Sequence, residues 1–444
     1  MFTAGFWNLT GYGLSQVIRF ASNLIMTRLL EPKMFGIMGI VSVILAGLTL
    51  FSDLGLEVNI VQSRRGHDAA FLNTAWVVQI IRGGALWLVA LVICAILFLA
   101  QHLALVPHGS VYAEPVLPFV LATNSSTAVI QGFESTKSSQ AIRNLLIFRV
   151  TLNRVISQIV ALACMLGWAW YDPSIWALVY GSMIGSALNT VLSHVALPGV
   201  ANRWQWDSRA FWEIFHFGKW IFLSSIVGFF AINGDRLLIG GLVDPTTFGV
   251  YVIAFTVFSA VEQVLSRVIA GVTFPAISEI ARDRRNELKH QYYRIIAVVA
   301  SASYVCAGIL MTAGQPLINS VYNYHYQQAG WMLQVLAACL ITAPFMVPVQ
   351  CFLALGRPSW TVWISGLRCA VLFACLPLGF HLFGLLGALC GILGSRFLCL
   401  PLIVFYGSKL ELFDFRKELT FIPGLFIGLA LGKLMAMVLG MLAG

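Results

Sequence analysis

The residues of this chain able to do chemistry are charged groups set inside long apolar runs. Along the first run Tyr12, Gln16, Arg19 and Asn23 recur at steps of four, three and four, which lays them on one stripe of a helix. The stretch FSDLGLEVNIVQ carries Asp53 and Glu57 four apart, expected on one helical face. That pair could neutralise Arg19 or Arg82, or hold a coupling cation or proton. Glu262 and Arg267 repeat the theme, and Arg82, Arg154, Arg368 and Arg396 add positive charge inside other runs. Arg outnumbers acid among these groups, and a guanidinium offers the two-pronged donor fork that matches phosphate. The chemistry expected is therefore noncovalent recognition of an anionic solute. Arg19, Gln16, Asn23, Arg82, Arg267, Arg368 and Arg396 would line its cavity, with Asp53, Glu57 and Glu262 as charge partners or ion-coupling groups. Arg28 and the pair Asp235-Arg236 are expected to reach for the outer interface. Nucleophile motifs, phosphate-cradling glycine loops and metal-ligand spacings are absent from the sequence, and the nine cysteines all fall in apolar stretches. No catalytic residue, cofactor or metal is expected.

A charge at the centre of a membrane helix costs about 2.5–3.5 kcal/mol, so such groups need a partner or a wet cavity. The elements that must position them are membrane spans. Of the 444 residues 59% are hydrophobic and 10% charged, against about a quarter charged in soluble domains. The mean hydropathy is +0.86. A span needs about 20 mostly apolar residues. Thirteen runs qualify, at 6–30, 36–61, 74–99, 112–134, 145–168, 174–197, 217–242, 248–273, 291–313, 329–354, 360–382, 384–407 and 421–442. The opening MFTAGFWNLTGYG has no basic leader or cleavage site and is expected to begin the first span.

Loop charge alternates along this series. Connections after even-numbered spans hold Arg64 and Arg65; Lys137 and Arg143; Arg203, Arg209 and Lys219; Arg282, Arg284, Arg285, Lys289 and Arg294; Arg357; and Lys409, Arg416 and Lys417. Those after odd-numbered spans hold Lys33 as their one basic residue. Basic loops face the cytoplasm, which places the N-terminus there and makes the net charge of +9 a topology signal rather than a sign of nucleic-acid binding.

The phrase LLEPKMFGIM at residues 29–38 returns as LVDPTTFGVY at 242–251, with Leu29, Pro32, Phe35 and Gly36 matching Leu242, Pro245, Phe248 and Gly249. Gly5 and Trp7 match Gly218 and Trp220 at the same offset, and Gln131-Gly-Phe133 has a weaker echo in Gln350-Cys-Phe352. Six spans separate the two copies, the pattern of a parallel internal repeat whose halves form two lobes with a substrate site between them. The expected plan is an all-α polytopic protein of 12–13 spans, with lobes over 1–200 and 217–410, a linker over 201–216, and a loop plus extra span over 411–444. In each copy the proline is expected to end one helix. The copies differ in chemistry, since Gln16 and Arg19 correspond to Phe229 and Ile232.

The stretches GYGLSQVIRFASNLIMTRLLEPKMFGIMGI, LFSDLGLEVNIVQ, FLNTAWVVQIIRG and FGKWIFLSSIVGFFAINGDRLLIGGLVDPTTFGVYVIAF resemble the polysaccharide-transport, Wzx-type flippase branch of the multidrug/oligosaccharidyl-lipid/polysaccharide exporter superfamily. The resemblance implies a V-shaped, MATE-like core of twelve helices in the bacterial inner membrane. It implies alternating access that carries an undecaprenyl-pyrophosphate-linked oligosaccharide to the outer leaflet, for exopolysaccharide, capsule or O-antigen synthesis. It further implies coupling to Na+ or H+, a basic residue placed like Arg19 to engage the pyrophosphate, and a polysaccharide polymerase and export machinery as partners. A cation-coupled multidrug exporter of the same superfamily is the first rival reading, and the arginine surplus argues against it. A membrane polymerase or ligase is the second, and the longest outer loop, GQPLINSVYNYHYQQAG, holds no acid.

In a cysteine-free background, cysteines placed at Ser110 and Asn323 should react with an impermeant thiol reagent added to intact cells. One at Ser139 should not, and its labelling would reverse the assigned orientation.

Overall fold

Pro32 and Pro245 both stand at the very start of a helix, where the missing N–H of proline costs no hydrogen bond and its fixed φ suits the first turn. The repeated proline thus opens the following helix instead of ending the preceding one. In both copies the acid before it is exposed, while the proline, the phenylalanine and the glycine after it are buried. Asp244 accepts from the Thr246 N–H at 3.0 Å, a side-chain cap on one copy. Glu31 makes no such bond.

The structure, a computed structural model, describes the backbone of residues 2–443 apart from 53–54, 284–287, 411–412, 415–416 and 419. Side chains are described for these except at 2–10, 12, 216–225, 227, 272, 274, 275, 279, 281–283 and 442–443. Asp53, Arg284, Arg285 and Arg416 therefore lie outside the described residues, as do the side chains of Tyr12, Trp7, Lys219, Trp220 and Arg282. Contacts divide the chain into two compact units, residues 1–229 with 244–246 and residues 230–243 with 247–444.

The first unit holds α1 (Phe2–Leu29), α2 (Pro32–Phe51), α3 (Leu56–Gln62), α4 (Ala69–His102), α5 (Leu117–Gly132), α6 (Lys137–Arg143), α7 (Ile147–Tyr171), α8 (Ile175–Val195) and the first part of α9 (Ser208–Leu242). The expected second span is broken. Gly55 adopts φ 60, a left-handed conformation that suits glycine, so α2 stops at Phe51 and α3 restarts at Leu56. Glu57 stands in the first turn of α3, and the expected stacking of Asp53 on it falls on a residue outside the described ones. Helix α4 packs on α5, α7 on α8, α1 on α7 and α5 on α8. Gly83 makes the first of these contacts close, because a Cβ there would strike the Ala128 carbonyl and crowd Gly132.

The second unit contains the rest of α9, then α10 (Pro245–Asp283), α11 (Leu288–Val321), α12 (Ala329–Ala337), a 3-10 stretch (Ala338–Phe345), α13 (Met346–Ala354), α14 (Pro358–Phe397), α15 (Leu400–Ser408) and α16 (Pro423–Ala443). Helix α14 is two spans joined at a kink at Phe383 and Gly384, the latter at φ 60. Its halves meet through Gly379 and Gly387, where a Cβ on either would overlap the other's backbone. Among the described residues nine segments are long and apolar enough to cross a membrane. One of them, Pro358–Ser408, covers two expected spans, and α1, α5 and α9 lie over the expected first, fourth and seventh. Among the described residues each of the thirteen runs is mostly helix, the second interrupted at Gly55.

The thirteenth, α16, packs along α11. Gly424, Gly428 and Gly432 recur every four residues on one face of it; a Cβ on Gly428 would meet the Val305 backbone, and one on Gly308 the backbone of Gly428 and Leu429. This is the small-residue contact that membrane helices use in place of hydrophobic burial. Phe426, Ile427, Leu434, Met437 and Val438 are exposed on the same helix and suit contact with acyl chains. The connection before it is pinned to α11, as the Tyr293 hydroxyl accepts the Asp414 N–H at 2.6 Å and the Tyr292 hydroxyl reaches Glu418 Oε1 at 3.5 Å.

Ser110 is only 3% exposed, so exposed His108 is the better outer labelling position. Burial pushes the Glu418 carboxyl up to about 7, Asp414 adding to the rise and Tyr292 opposing it. A carboxyl that holds its proton more tightly folded than unfolded favours the fold once protonated, so Glu418 should add stability as pH falls from about 8 towards 5. Thermal unfolding of the detergent-solubilised protein should show a melting temperature that rises on that descent, and Glu418→Gln should flatten the rise.

Candidate functional site

Gln79 on α4 aims its amide at the end of α5. Its Nε2 donates to the carbonyls of Gln131 at 2.9 Å, Gly132 at 3.3 Å and Glu134 at 3.1 Å. Trp76, one turn earlier, donates from Nε1 to the Phe133 carbonyl at 3.3 Å. The last carbonyls of a helix have no partner within it. Here side chains of the neighbouring helix take them up, and the chain turns so that Glu134 faces inward. The sequence echo at 131–133 thus marks the place where α5 is stapled to α4.

Two adjoining cavities open from this staple. One, of about 290 Å³, is lined by Thr49, Glu57, Gln79, Arg82, Gln131, Glu134, Ser138, Ser139 and Arg154 among others. The second, of about 310 Å³, shares Gln131, Glu134 and Arg154 with the first and adds Ser157, Gln158, Ser182, Gly185, Ser186 and Asn189. Glu134 lies in the connection beyond the end of α5. Burial raises its carboxyl above the usual range, while the Ser138 hydroxyl, which donates to it at 2.9 Å, and the charge of Arg154 oppose that rise. A protonated Glu134 leaves Arg82 and Arg154 facing Glu57, a net positive cavity among the described residues.

Outside the cavities, the same unit is tied by a polar clamp. Arg65 pairs with Asp68 at 2.8 Å and Asp207 at 2.9 Å, and its hydrogen bonds hold both carboxyls below their usual range. Asn73 and Thr74 secure the stretch 203–207, accepting from the N–H groups of Arg203 and Asp207 at 2.9 Å each. Arg143 donates to the carbonyls of Ile60, Val61 and Ser63 within 2.9 Å, capping α3. The FLNTAW stretch and two of the basic loop residues therefore have structural work at this end of the unit.

The expected site residues separate. Arg82 and Glu57 meet in the first cavity. Arg19, exposed on α1, hydrogen-bonds Gln16 one turn away, and Asn23 Oδ1 is buried with no hydrogen-bond partner among the described residues; the three line neither cavity. In the second unit Arg396 forms an ion pair with Glu262 and lies over the Phe258 ring at 5.5 Å. Arg368 is near enough to feel both charges. The kink explains how one helix supplies both arginines. Arg368 stands fifteen residues before Phe383 and Arg396 twelve after Gly384, about 22 and 18 Å along the two halves and so at similar depth. Arg267 is exposed on α10. Asp235 is 5% exposed and accepts from the Tyr251 hydroxyl at 2.8 Å, and Arg236 lies over Phe255 at 4.4 Å, so α10 supplies both with partners within the unit. Sequence reasoning missed Glu134, Gln79, Gln158 and Asn189 and left Arg154 outside the site. Glu134 was hidden at the end of an expected span, beside the one echo that could have drawn notice.

These elements and cavities define a multi-pass membrane protein with a MATE-like transporter fold. The helices superpose on lipid II flippase MurJ in an inward closed conformation with a TM-score of 0.71 at 11% identity, over all of this chain and 97% of that one. The inward-facing conformation of a multidrug resistance MATE family transporter of the MOP superfamily gives 0.62 at 14% identity, over 97% and 96% of the two chains. Such identities speak for the fold alone. In sequence, residues 25–330 match the family described as polysaccharide biosynthesis protein, and the chain belongs to that family. It is similar to the lipopolysaccharide biosynthesis protein WzxC of Escherichia coli (strain K12), 21% identical over 333 residues, 74% of this chain and 63% of that protein. It is also similar to an uncharacterized membrane protein in the cps region of Klebsiella pneumoniae, 23% identical over 308 residues, 65% and 57% of the two. The chain thus spans about three fifths of the length of these relatives.

Removing one partner of a buried ion pair strands the other charge, at about 3–5 kcal/mol. Arg396→Ala should therefore lower the unfolding free energy in detergent, read from its denaturation curve, by about 3 kcal/mol for a pair that is not fully enclosed. The double variant Arg396→Met with Glu262→Gln should recover most of that loss.

Proposed function

We propose that this protein is a flippase that carries an undecaprenyl-pyrophosphate-linked oligosaccharide repeat unit from the cytoplasmic to the outer leaflet of the bacterial inner membrane by alternating access. The observation that carries this reading is the paired cavity of the first unit, where Arg82 and Arg154 face amide and hydroxyl side chains. Arg64, Arg65, Lys137 and Arg143 lie in the connections at the same end, which we assign to the cytoplasm with the N-terminus. A pyrophosphate leaving water needs fixed, charge-assisted donors, and guanidinium groups supply the strong ones. Arg19, exposed on α1, adds a further cation.

Coupling belongs to the acids of the same cavity. Glu57 and Glu134 together would neutralise the two arginines, whereas a proton on Glu134 frees one positive charge for the substrate. Substrate and proton then favour each other's binding, so a proton on Glu134 serves substrate loading, while the inward Na+ or H+ gradient we keep as the driving force would act by exchange, its ion returning the emptied carrier. The polymer built from the exported unit would require a polymerase and export machinery beyond this chain. MATE-type drug export is the second reading; a cationic drug would be repelled by the protonated form of the cavity.

In cells deleted for the gene and complemented with variants at matched membrane levels, Arg154→Ala should reduce polymer export roughly tenfold or more, the worth of one charge-assisted contact. Lipid-linked repeat units should accumulate on the cytoplasmic side. Arg154→Lys should restore part of the export, since charge survives without the fork. Arg19→Ala should also lower export, and Arg28→Ala should change it little. Wild-type export by the Arg82→Ala, Arg154→Ala double variant would overturn the reading.

A further inference from the structure

Two residues that line the second cavity of the first unit each carry a polar atom that is buried with no hydrogen-bond partner among the described residues. The atoms are Oγ of Ser157 and Oε1 of Gln158, neighbours on α7. Ser157 is 4% exposed. A hydroxyl or amide oxygen stripped of water and given nothing in return is destabilising, so the fold keeps these two at a cost that a ligand would relieve.

The surroundings say what kind of ligand. Ser182, Ser186 and Asn189 of α8 and Gln131 of α5 join the lining, with Ala161 and Gly185 between them. Ser182 is occupied, donating towards Asn124 Oδ1 at 2.9 Å, whereas Gln131 Nε2 reaches Ser186 Oγ only at 3.5 Å, a bond easily exchanged. Amide and hydroxyl groups both donate and accept. Arg154 and Glu134, shared with the first cavity, are the charged members of the lining. At about 310 Å³ the cavity sits at the small end of ligand pockets, with room for one compact ring. A neutral molecule with several hydroxyls fits this set.

We infer that the second cavity is a saccharide subsite, in which Ser157 and Gln158 hydrogen-bond the first sugar of the lipid-linked substrate while Arg82 and Arg154 hold its diphosphate next door. The inference rests on the flippase reading and deepens it. A sugar joined directly to the diphosphate must lie beside it, and the cavities adjoin through Arg154. The subsite gives the protein a means to tell a lipid bearing sugar from the bare carrier.

Ser157→Ala removes one oxygen and no volume to speak of, so a purely structural role predicts equal or greater stability and unchanged binding. Wild-type protein in nanodiscs would be titrated with undecaprenyl pyrophosphate and with the lipid-linked saccharide extracted from cells deleted for the gene. Wild type should bind the saccharide lipid at least roughly tenfold tighter. Ser157→Ala and Gln158→Ala should each close that gap by roughly three- to tenfold, the worth of one hydrogen bond, with affinity for the bare carrier unchanged. Arg154→Ala should weaken both probes. Equal affinity of wild type for the two probes, or a gap untouched by both α7 variants, would overturn the subsite and leave the flippase reading standing. Failure of the saccharide lipid to bind wild type would overturn the flippase reading, and the subsite with it.

Discussion

A guanidinium carried into a bilayer must find either an anion or a wet cavity, and the architecture of both units follows from how that demand is met. In the second unit it is met by pairing. Glu262 takes Arg396, Phe258 lies beneath the guanidinium, and the kinked α14 brings Arg368 to the same depth. In the first unit it is met by a cavity. Arg82 and Arg154 line it together with amides, hydroxyls, two carboxylates and the apolar side chains of Leu50, Leu56 and Leu86. The first arrangement pairs the charge within the unit, and the second sets it beside a cavity.

The internal repeat sharpens this contrast. Both copies use a buried proline, phenylalanine and glycine at the start of a helix, so the hairpin geometry is held in common while the charged equipment is not. Gln16 and Arg19 have apolar counterparts in Phe229 and Ile232, and Phe229 is spent on packing, close to Gly47 and edge-on to Phe51. A duplicated scaffold can keep its turn chemistry, which depends on backbone φ/ψ, and still replace side chains on the helix faces, which depends only on local packing.

That division also explains what could be read in advance. Helix positions were legible because hydropathy over twenty residues is a coarse sum that survives small errors, and the parallel repeat was legible because a proline and a glycine at fixed spacing have few structural meanings. The break at Gly55 was not, since one left-handed residue inside an apolar run leaves the sum unchanged. Nor was the inward turn of Glu134, which depends on Gln79 reaching across from another helix fifty-odd positions away. Arg82 and Glu57 were legible as cavity-lining residues because a charge in an apolar run is conspicuous. Ser157 and Gln158 were not, because a serine or glutamine in a membrane helix is ordinary until its partners are counted.

The position of Glu134 ties the two cavities into one thermodynamic unit. It borders both, accepts a hydrogen bond from Ser138, and is also hydrogen-bonded to Asn189 in the second cavity. An anion arriving beside Arg82 and Arg154 raises the cost of a second negative charge at Glu134 and so favours its protonated form. By reciprocity, protonation strengthens anion binding by the same factor. Protonation also changes what Glu134 offers its neighbours, since a carboxylate only accepts whereas the acid can donate. In the proposed cycle the proton therefore does two things at once: it leaves an arginine charge uncompensated for the diphosphate, and it alters the hydrogen bonding at the mouth of the saccharide subsite. In that proposal a single titrating group at the junction would tune how tightly the loaded substrate is held, charge and sugar together.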